Sequence, residues 1–452
     1  MIPTLNYRMM LLAVLAVTAL TGCSDDDPTN PVDVATTFTL TIENVSMAGE
    51  YAASGVFNTP VGEAAPAAAG PGMAYQFEVG AAPGDLLSFA TMFVQSNDLF
   101  FAPDGGGIAF YDGMGLPVSG DVTAQVMLWD AGSEINQEPG LGADQAPRQS
   151  GADTGAADSD ATVRLVDDGY MYPAVDEVIA VILTPLGEGL FRVRIENVSD
   201  GSTLQPSSGP SLAVPIAPGV YAVHRGSDPL FTAGAVERME GLAAVAEDGN
   251  PAVLAPVLAS RTALATPVAP AAVAVHGSSV HLFTSGVADT GTGLTVLAED
   301  GDPGMLVSTL SALAGVSSAQ AVTMPVGGAG AAPIFPGESY VTTFEATDGD
   351  RLSLAAMFVQ SNDLFLAFDG AGLALFDAMG DPVTGDVSMS LGLWDAGSEM
   401  NQWPGVGPDQ APRQTGPDTG ADDTDARVRM VADGFPYPAA DRVLRVTLTV
   451  GS

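Results

Sequence analysis

The chain contains no lysine. All 14 of its basic residues are arginines, set against 54 acidic ones, and the formal net charge is −40 over 452 residues. A surface of that sign repels phosphate backbones and anionic membrane faces, so it excludes nucleic acid as a charge-driven partner and favours cations. Cysteine is nearly absent as well: Cys23 is the only one, which excludes an internal disulfide framework. Histidine occurs three times, at His224, His276 and His281. No Gly-x-Ser-x-Gly, His-Glu-x-x-His or phosphate-binding loop is present, so the sequence reads as a binding or surface protein and not as an enzyme. Disorder is excluded too, because hydrophobic residues make up 46% of the chain and fall in strand-like blocks.

Only one long apolar run exists. It extends from Met9 to Ala19 after Arg8, too short for a finished membrane span, and reads as a secretory signal over residues 1–22. Leu20-Thr21-Gly22-Cys23 follows and resembles a bacterial lipobox, in which the cysteine is lipidated and becomes the first mature residue. Residues 23–36, including Ser24 to Pro31 (SDDDPTNP), read as a tether. By the same resemblance, Ser24 favours the outer membrane, on its periplasmic or its outer face. The membrane is then a partner only through the lipid at Cys23.

Self-comparison supplies the organisation. From Pro60 to Pro173 the chain repeats without a gap at an offset of 265, so that Met92 to Phe100 (MFVQSNDLF) returns as Met357 to Phe365 and Leu128 to Asn136 returns as Leu393 to Asn401. The strand around Ile42-Glu43-Asn44-Val45-Ser46 returns at Ile195 to Ser199, an offset of 153. A smaller tandem at an offset of 52 matches Ala222-Val223-His224 with Ala274-Val275-His276, and Ala246-Glu247-Asp248-Gly249 with Ala298-Glu299-Asp300-Gly301. Taken in chain order, these give a shorter first domain at 37–186 and a second at 190–452 that contains the tandem element at 212–313.

Short β-branched or aromatic blocks such as Phe38 to Val45, Tyr75 to Val79, Leu87 to Val94, Val122 to Trp129 and Val175 to Leu183 alternate with Gly, Pro, Asp and Asn. That spacing predicts a mainly β fold of tandem antiparallel sandwiches. Helical patterning is confined to Ala235 to Ala246 and its counterpart Val287 to Ala298. The Ala- and Pro-rich stretches Ala64 to Pro71 and Ala263 to Ala272 read as loops or joints.

Three segments together resemble the spondin domain, the N-terminal module of F-spondin and mindin, in a divergent bacterial form. They are Phe93 to Pro103 (FVQSNDLFFAP), Trp129-Asp130-Ala131-Gly132-Ser133-Glu134, and the stretch from His224 through Leu230, Gly234 and Gly241-Leu242 to Ala246-Glu247-Asp248-Gly249. The likeness covers most of 37–185 and 190–452, with the third element expected to be missing from the first copy and doubled in the second. It implies a sandwich similar to a C2 domain, a Ca²⁺ ion held among acidic end loops, and adhesion to an extracellular protein or glycan.

Calcium takes six to eight hard oxygens on loops. Asp98, Asp104, Asp130 and Glu134 fit in the first copy, and Asp363, Asp369, Asp395 and Glu399 in the second, with Asp130 and Asp98 expected to lead. Turn capping by the aspartates, within a purely structural acidic shell, is the alternative; a hydrolase built on the Asp130 and Glu134 carboxylates is a third possibility. Asp153 to Asp160 and Asp418 to Asp425 read as solvated acidic loops. Trp129, Trp394, Phe93 and Phe358 read as core, and His224 and His276 as hydrogen-bonded structural residues or, alternatively, a transition-metal site. If the lipobox reading holds, Cys23→Ser moves the protein from the membrane to the soluble fraction on cell fractionation; unchanged detergent partitioning of the variant would refute lipidation.

Overall fold

A computed structural model describes residues 35–451; the signal segment and Cys23 lie outside the described residues. The chain is mainly β, with four antiparallel sheets and a few short helices. In each half a four-stranded sheet faces a seven-stranded one, and a pair of short helices covers the other side of the larger sheet.

The patterning of the strands follows from this layering. Thr36–Asn44 has one face in the core, and every second residue is buried: Phe38, Leu40 and Ile42. Leu86–Phe93 lies in the larger sheet and is buried on both faces, so its sequence LLSFATMF carries an almost continuous apolar run. One face packs Leu87, Phe89 and Phe93 between the sheets. The other presents Ala90 to Leu242, Val245 and Ala246 of the helix Leu242–Asp248. Truncating any of the fully buried phenylalanines costs about 3–5 kcal/mol in transfer and cavity terms.

The strands do not respect the domain boundaries drawn from the sequence. Leu190–Asn197 pairs with Ala74–Gly80 and Ile179–Gly187, and so belongs to the first sandwich. Thr36–Asn44 pairs with Ser339–Ala346 and Leu444–Val450, and so belongs to the second. The tandem element is divided in the same way. Ile216–His224 lies between Tyr51–Phe57 and Leu86–Phe93, whereas Val268–His276 lies between Val316–Val322 and Arg351–Phe358. Each sandwich thus owns one complete set of elements. Sandwich one is formed by residues 49–263, inserted as a unit between the first strand of sandwich two and the remainder of that sandwich, 264–451. The first copy does not lack the third element; that element reaches it from further along the chain.

The chain crosses between the sandwiches twice, side by side. Gly49 N donates to Ala263 O at 3.0 Å, and Ala263 N donates to Tyr51 O at 3.3 Å. A Cβ on Gly49 would stand 2.3 Å from Arg261 O, so the crossing requires glycine there. Each first strand is hooked into its sandwich by a buried asparagine: Asn44 Nδ2 donates to Thr266 O and Ile334 O, and Asn197 Nδ2 to Ala69 O and Val214 O.

The helices also differ from the sequence expectation. They lie at Leu242–Asp248 and Leu294–Asp300, later than the apolar patterning suggested, and each is followed by a second helix, Leu254–Arg261 or Gly304–Ser311. Glycines in the left-handed region, Gly241 and Gly249 in the first case, hold the chain out of the helix on either side of Leu242–Asp248. Ala263 to Ala272 is not wholly loop, because Val268–His276 is a central strand that pairs on both sides from Ala271 onward. Its alanines fit where two sheet faces and a helix pair approach closely.

The topology has a direct consequence for fragments. Residues 49–263 hold every strand of sandwich one and are expected to melt cooperatively when expressed alone. Residues 264–452 lack Thr36–Asn44, an inner strand of their four-stranded sheet, and also lack its look-alike Leu190–Asn197, and are expected to give no cooperative transition by circular dichroism. A sharp melt from the second fragment would overturn the strand assignment.

Candidate metal centre

The acidic residues converge where the seven-stranded sheet meets the end of the helix Leu242–Asp248. Asp98 ends the tight turn after Leu86–Phe93, a turn fixed by Ser96, whose Oγ donates to Phe93 O at 2.6 Å and accepts from Leu99 N at 3.1 Å. Asp98 has no solvent exposure. Its Oδ2 accepts three hydrogen bonds, from Ser133 N at 2.8 Å, Ser133 Oγ at 3.0 Å and Glu134 N at 3.0 Å. Its Oδ1 is buried without any partner.

Glu134, buried, accepts from Gly155 N at 2.6 Å and from Asn97 Nδ2 at 3.2 Å. A Cβ on Gly155 would stand 2.0 Å from Glu134 Oε2, so only glycine lets the 153–155 loop come this close. Within that loop Asp153 is held at φ 52°, left-handed backbone that a non-glycine residue adopts at a cost of about 1–3 kcal/mol. Glu247, on the last turn of its helix, completes the group: one carboxylate oxygen each from Glu134, Asp153 and Glu247 lies within 4.8 Å of the others. The helix C-terminus adds its own negative dipole end.

Sandwich two repeats the arrangement. Asp363 Oδ2 accepts from Ser398 N, Ser398 Oγ and Glu399 N, and Asp363 Oδ1 is again an orphan. Glu399 accepts from Gly420 N at 2.8 Å. Asp418 has φ 53°. Glu299, Glu399 and Asp418 form the second triad.

Carboxylates forced together out of water hold their protons more tightly. Burial pushes the Glu247 carboxyl up to about 7, opposed by the Ser133 hydroxyl and reinforced by the charges of Glu134, Asp153 and Asp98. Glu299 is raised to about 7 for the same reasons, with Ser398, Glu399, Asp418 and Asp363 in those roles. Burial, then the charge of Asp130, raises Asp98 to about 6; burial and Asp395 raise Asp363 to about 7.

The residues expected from the sequence divide into three groups. Glu134 and Glu399 are in the triads. Asp98 and Asp363 lie beside them, each with its free oxygen. Asp130 and Asp395 are buried, but each is already paired with an arginine and lies outside the triads. Asp130 accepts from Gly132 N and Asn136 Nδ2, each at 2.7 Å, and pairs with Arg164 at 2.8 Å; Asp395 is bound in the same way by Gly397, Asn401 and Arg429. They orient the loop and do not lead the set. Asp104 and Asp369 stand apart on exposed turns, where they accept from Gly106 N and Ala371 N; their role is the turn capping set out as the alternative.

Sequence reading missed Glu247, Glu299, Asp153 and Asp418. The acidic loops at 153–160 and 418–425 read in sequence only as solvated; their first aspartates, Asp153 and Asp418, are exposed and yet join the triads. The signal was present in duplicate, as Ala-Glu-Asp-Gly at 246–249 and 298–301 and as Asp-Thr-Gly at 153–155 and 418–420. Nothing in the linear order, however, relates the two motifs. His224 and His276 are buried and bonded through Nε2 to Ser88 Oγ and Ser353 Oγ, as structural residues would be.

All the triad ligands are hard oxygens, with no sulfur or imidazole among them, and the span of the oxygens fits within twice a Ca–O distance of about 2.3–2.6 Å. The orphaned oxygens of Asp98 and Asp363 are the kind of buried acceptor that a cation would satisfy. Neither the protein-family models nor the curated proteins compared with the chain include a match to it.

Without metal, the raised carboxyls set the sign of the pH dependence. An unfolded Glu titrates near about 4.3 and an unfolded Asp near about 3.9. The folded groups hold their protons to higher pH, so their contribution is fully present below about pH 4 and is lost as pH rises through 6 to 7. In chelator, the melting temperature is expected to fall between pH 5 and 7.5, and Glu247→Gln with Glu299→Gln to flatten that slope; an unchanged slope in the double variant would show that other groups set it.

Proposed function

We propose that this chain is an exported, lipid-anchored cell-envelope protein whose two spondin-like domains each bind Ca²⁺ and use the loaded ends in adhesion to, or binding of, an extracellular protein or glycan. The observation that carries the metal part is the duplicated set of three convergent carboxylates beside a fully buried aspartate with an unpartnered oxygen. The adhesive part rests on the resemblance of Trp129 to Glu134 and its partner segments to the spondin family, and the envelope location on the segment ending at Cys23.

Several features support a cation over an empty acidic cluster. Each triad has one exposed member, Asp153 or Asp418, which leaves a path from solvent, while the two glutamates are buried. Four acidic side chains at one point of a protein of net charge −40 carry a repulsion that a divalent ion relieves. When bound, the ion would be held in sandwich one by Glu134, Asp153 and Glu247 with Asp98 adjoining, and in sandwich two by Glu399, Asp418 and Glu299 with Asp363. Glycoside hydrolysis is less well supported, because Asp130 and Glu134 are both buried and Asp130 is already paired with Arg164.

Extracellular calcium modules bind with dissociation constants of about 10⁻⁴ to 10⁻³ M. At a tenfold excess over that constant, a site contributes about 1.4 kcal/mol of stability. Millimolar Ca²⁺ is therefore expected to raise the melting temperature, with two saturable sites by titration calorimetry. Glu247→Gln with Glu299→Gln should remove both the heat and the gain. Equal stabilisation by NaCl at matched ionic strength, with no saturable heat, would instead identify a structural acidic shell.

A further inference from the structure

The duplication permits a comparison inside one molecule, and the two copies differ where the sandwiches touch. Trp403 belongs to sandwich two but packs against the core of sandwich one. It also sits against Phe435, with ring centroids 5.5 Å apart. Its ring comes so close to Gly80 that a Cβ there would lie 2.1 Å from Cδ1, and Val406 meets Gly189 at 3.0 Å in the same sense. Phe77 and Tyr221 stack at 4.0 Å in sandwich one, with the Tyr221 ring lying over Gly55. Tyr221, Ser54 and Glu78 on one side, and Trp403, Phe435 and Pro436 on the other, line a shared cavity of about 360 Å³.

The equivalent surfaces at the free ends are altered. At the offset of 265, Gly80 becomes Glu345, Phe77 becomes Thr342 and Gly55 becomes Gln320; at the offset of 52, Tyr221 becomes Val273. Glu345 is exposed, and Gln320 accepts from Thr342 Oγ1 at 3.0 Å. The corresponding groove, lined by Ser318, Gln320, Thr343 and Glu345, is open, with a volume of about 550 Å³. On the inserting side, Trp403 becomes Glu138 and Phe435 becomes Tyr170. Glu138 accepts from Ser207 Oγ at 2.8 Å, and Leu204 and Leu212 of the same connection lie against Gly140.

We propose that the sandwiches are held by a directional plug-and-socket contact, Trp403 against Gly80, and that Glu345 closes the equivalent socket of sandwich two to a second copy of this chain. Plug and socket are different surfaces, so the contact is heterologous, and repeated between molecules it would build an open chain instead of a closed pair. A glutamate at the socket floor blocks this by volume and by the cost of desolvating an unpaired carboxylate. The two crossings at Gly49 and Ala263 keep the sandwiches tethered, so loss of the plug opens a hinge without separating them.

The test uses the full chain and moves the socket. Gly80→Glu is expected to stay monomeric while its sedimentation slows and tryptophan emission shifts to the red, because Trp129 and Trp394 remain buried and only Trp403 is released. Glu345→Gly alone is expected to match the parent, since its plug is still engaged. In Gly80→Glu with Glu345→Gly, the freed Trp403 finds a socket only on another molecule, and concentration-dependent oligomers are expected. If Gly80→Glu does not fold, Trp403→Glu opens the joint from the other side and reports the same slowing. A compact Gly80→Glu protein with unshifted emission, or a double variant that stays monomeric up to its solubility limit, would overturn the proposal.

Discussion

The strand Thr36–Asn44 lies between Ser339–Ala346 and Leu444–Val450, strands from the far end of the chain, and the rest of the architecture depends on that pairing. Because the first strand is committed to the second sandwich, the chain must leave it, build the whole of sandwich one, and return. That requirement places two crossings together at Gly49 and Ala263 and brings the 403–406 loop of one sandwich against Gly80 and Gly189 of the other. The joint between the sandwiches is therefore set by connectivity as much as by surface complementarity. Closing so long a loop costs little more entropy than closing a short one, since the cost rises only with the logarithm of its length.

Within each sandwich the central constraint is a sheet buried on both faces. Its strands cannot alternate polar and apolar residues, so acidic groups are pushed to the strand ends, where the turn at 94–98, the loop at 130–134 and the helix Leu242–Asp248 meet. Backbone N–H groups of Gly132, Ser133, Glu134 and Gly155 then hold the carboxylates in place. These donors reach one oxygen each of Asp98, Asp130 and Glu134, but they cannot neutralise the charge. The result is a centre organised by hydrogen bonds and destabilised by like charge, an arrangement suited to a cation. Strained Asp153 and Asp418 are placed there at a backbone cost that the surrounding loops must offset.

Composition and periodicity were enough for the class of fold. Alternation in Thr36–Asn44 and the unbroken apolar run of Leu86–Phe93 are local properties, and each follows from how many faces of a strand are covered. The repeats were legible as well, and so was half of the candidate site: Asp98 and Glu134 sit near residues that are close in sequence or one hairpin away. Glu247 and Asp153 were not legible. Their partners are distant in the chain, and an acidic residue on a helix or in a glycine-rich loop ordinarily belongs in water.

The allocation of strands was beyond the sequence for a sharper reason. Ile42-Glu43-Asn44-Val45-Ser46 and Ile195-Glu196-Asn197-Val198-Ser199 are the same pentapeptide, hooked by the same asparagine bonds, so either would satisfy either sandwich locally. The sequence by itself determined that the protein has two copies of every element, an excess of acidic residues and a lone cysteine after an apolar run. Only the tertiary structure decided which copy each element joins, because that choice turns on chain connectivity and on contacts such as Trp403 against Gly80, which exist only once both sandwiches are assembled.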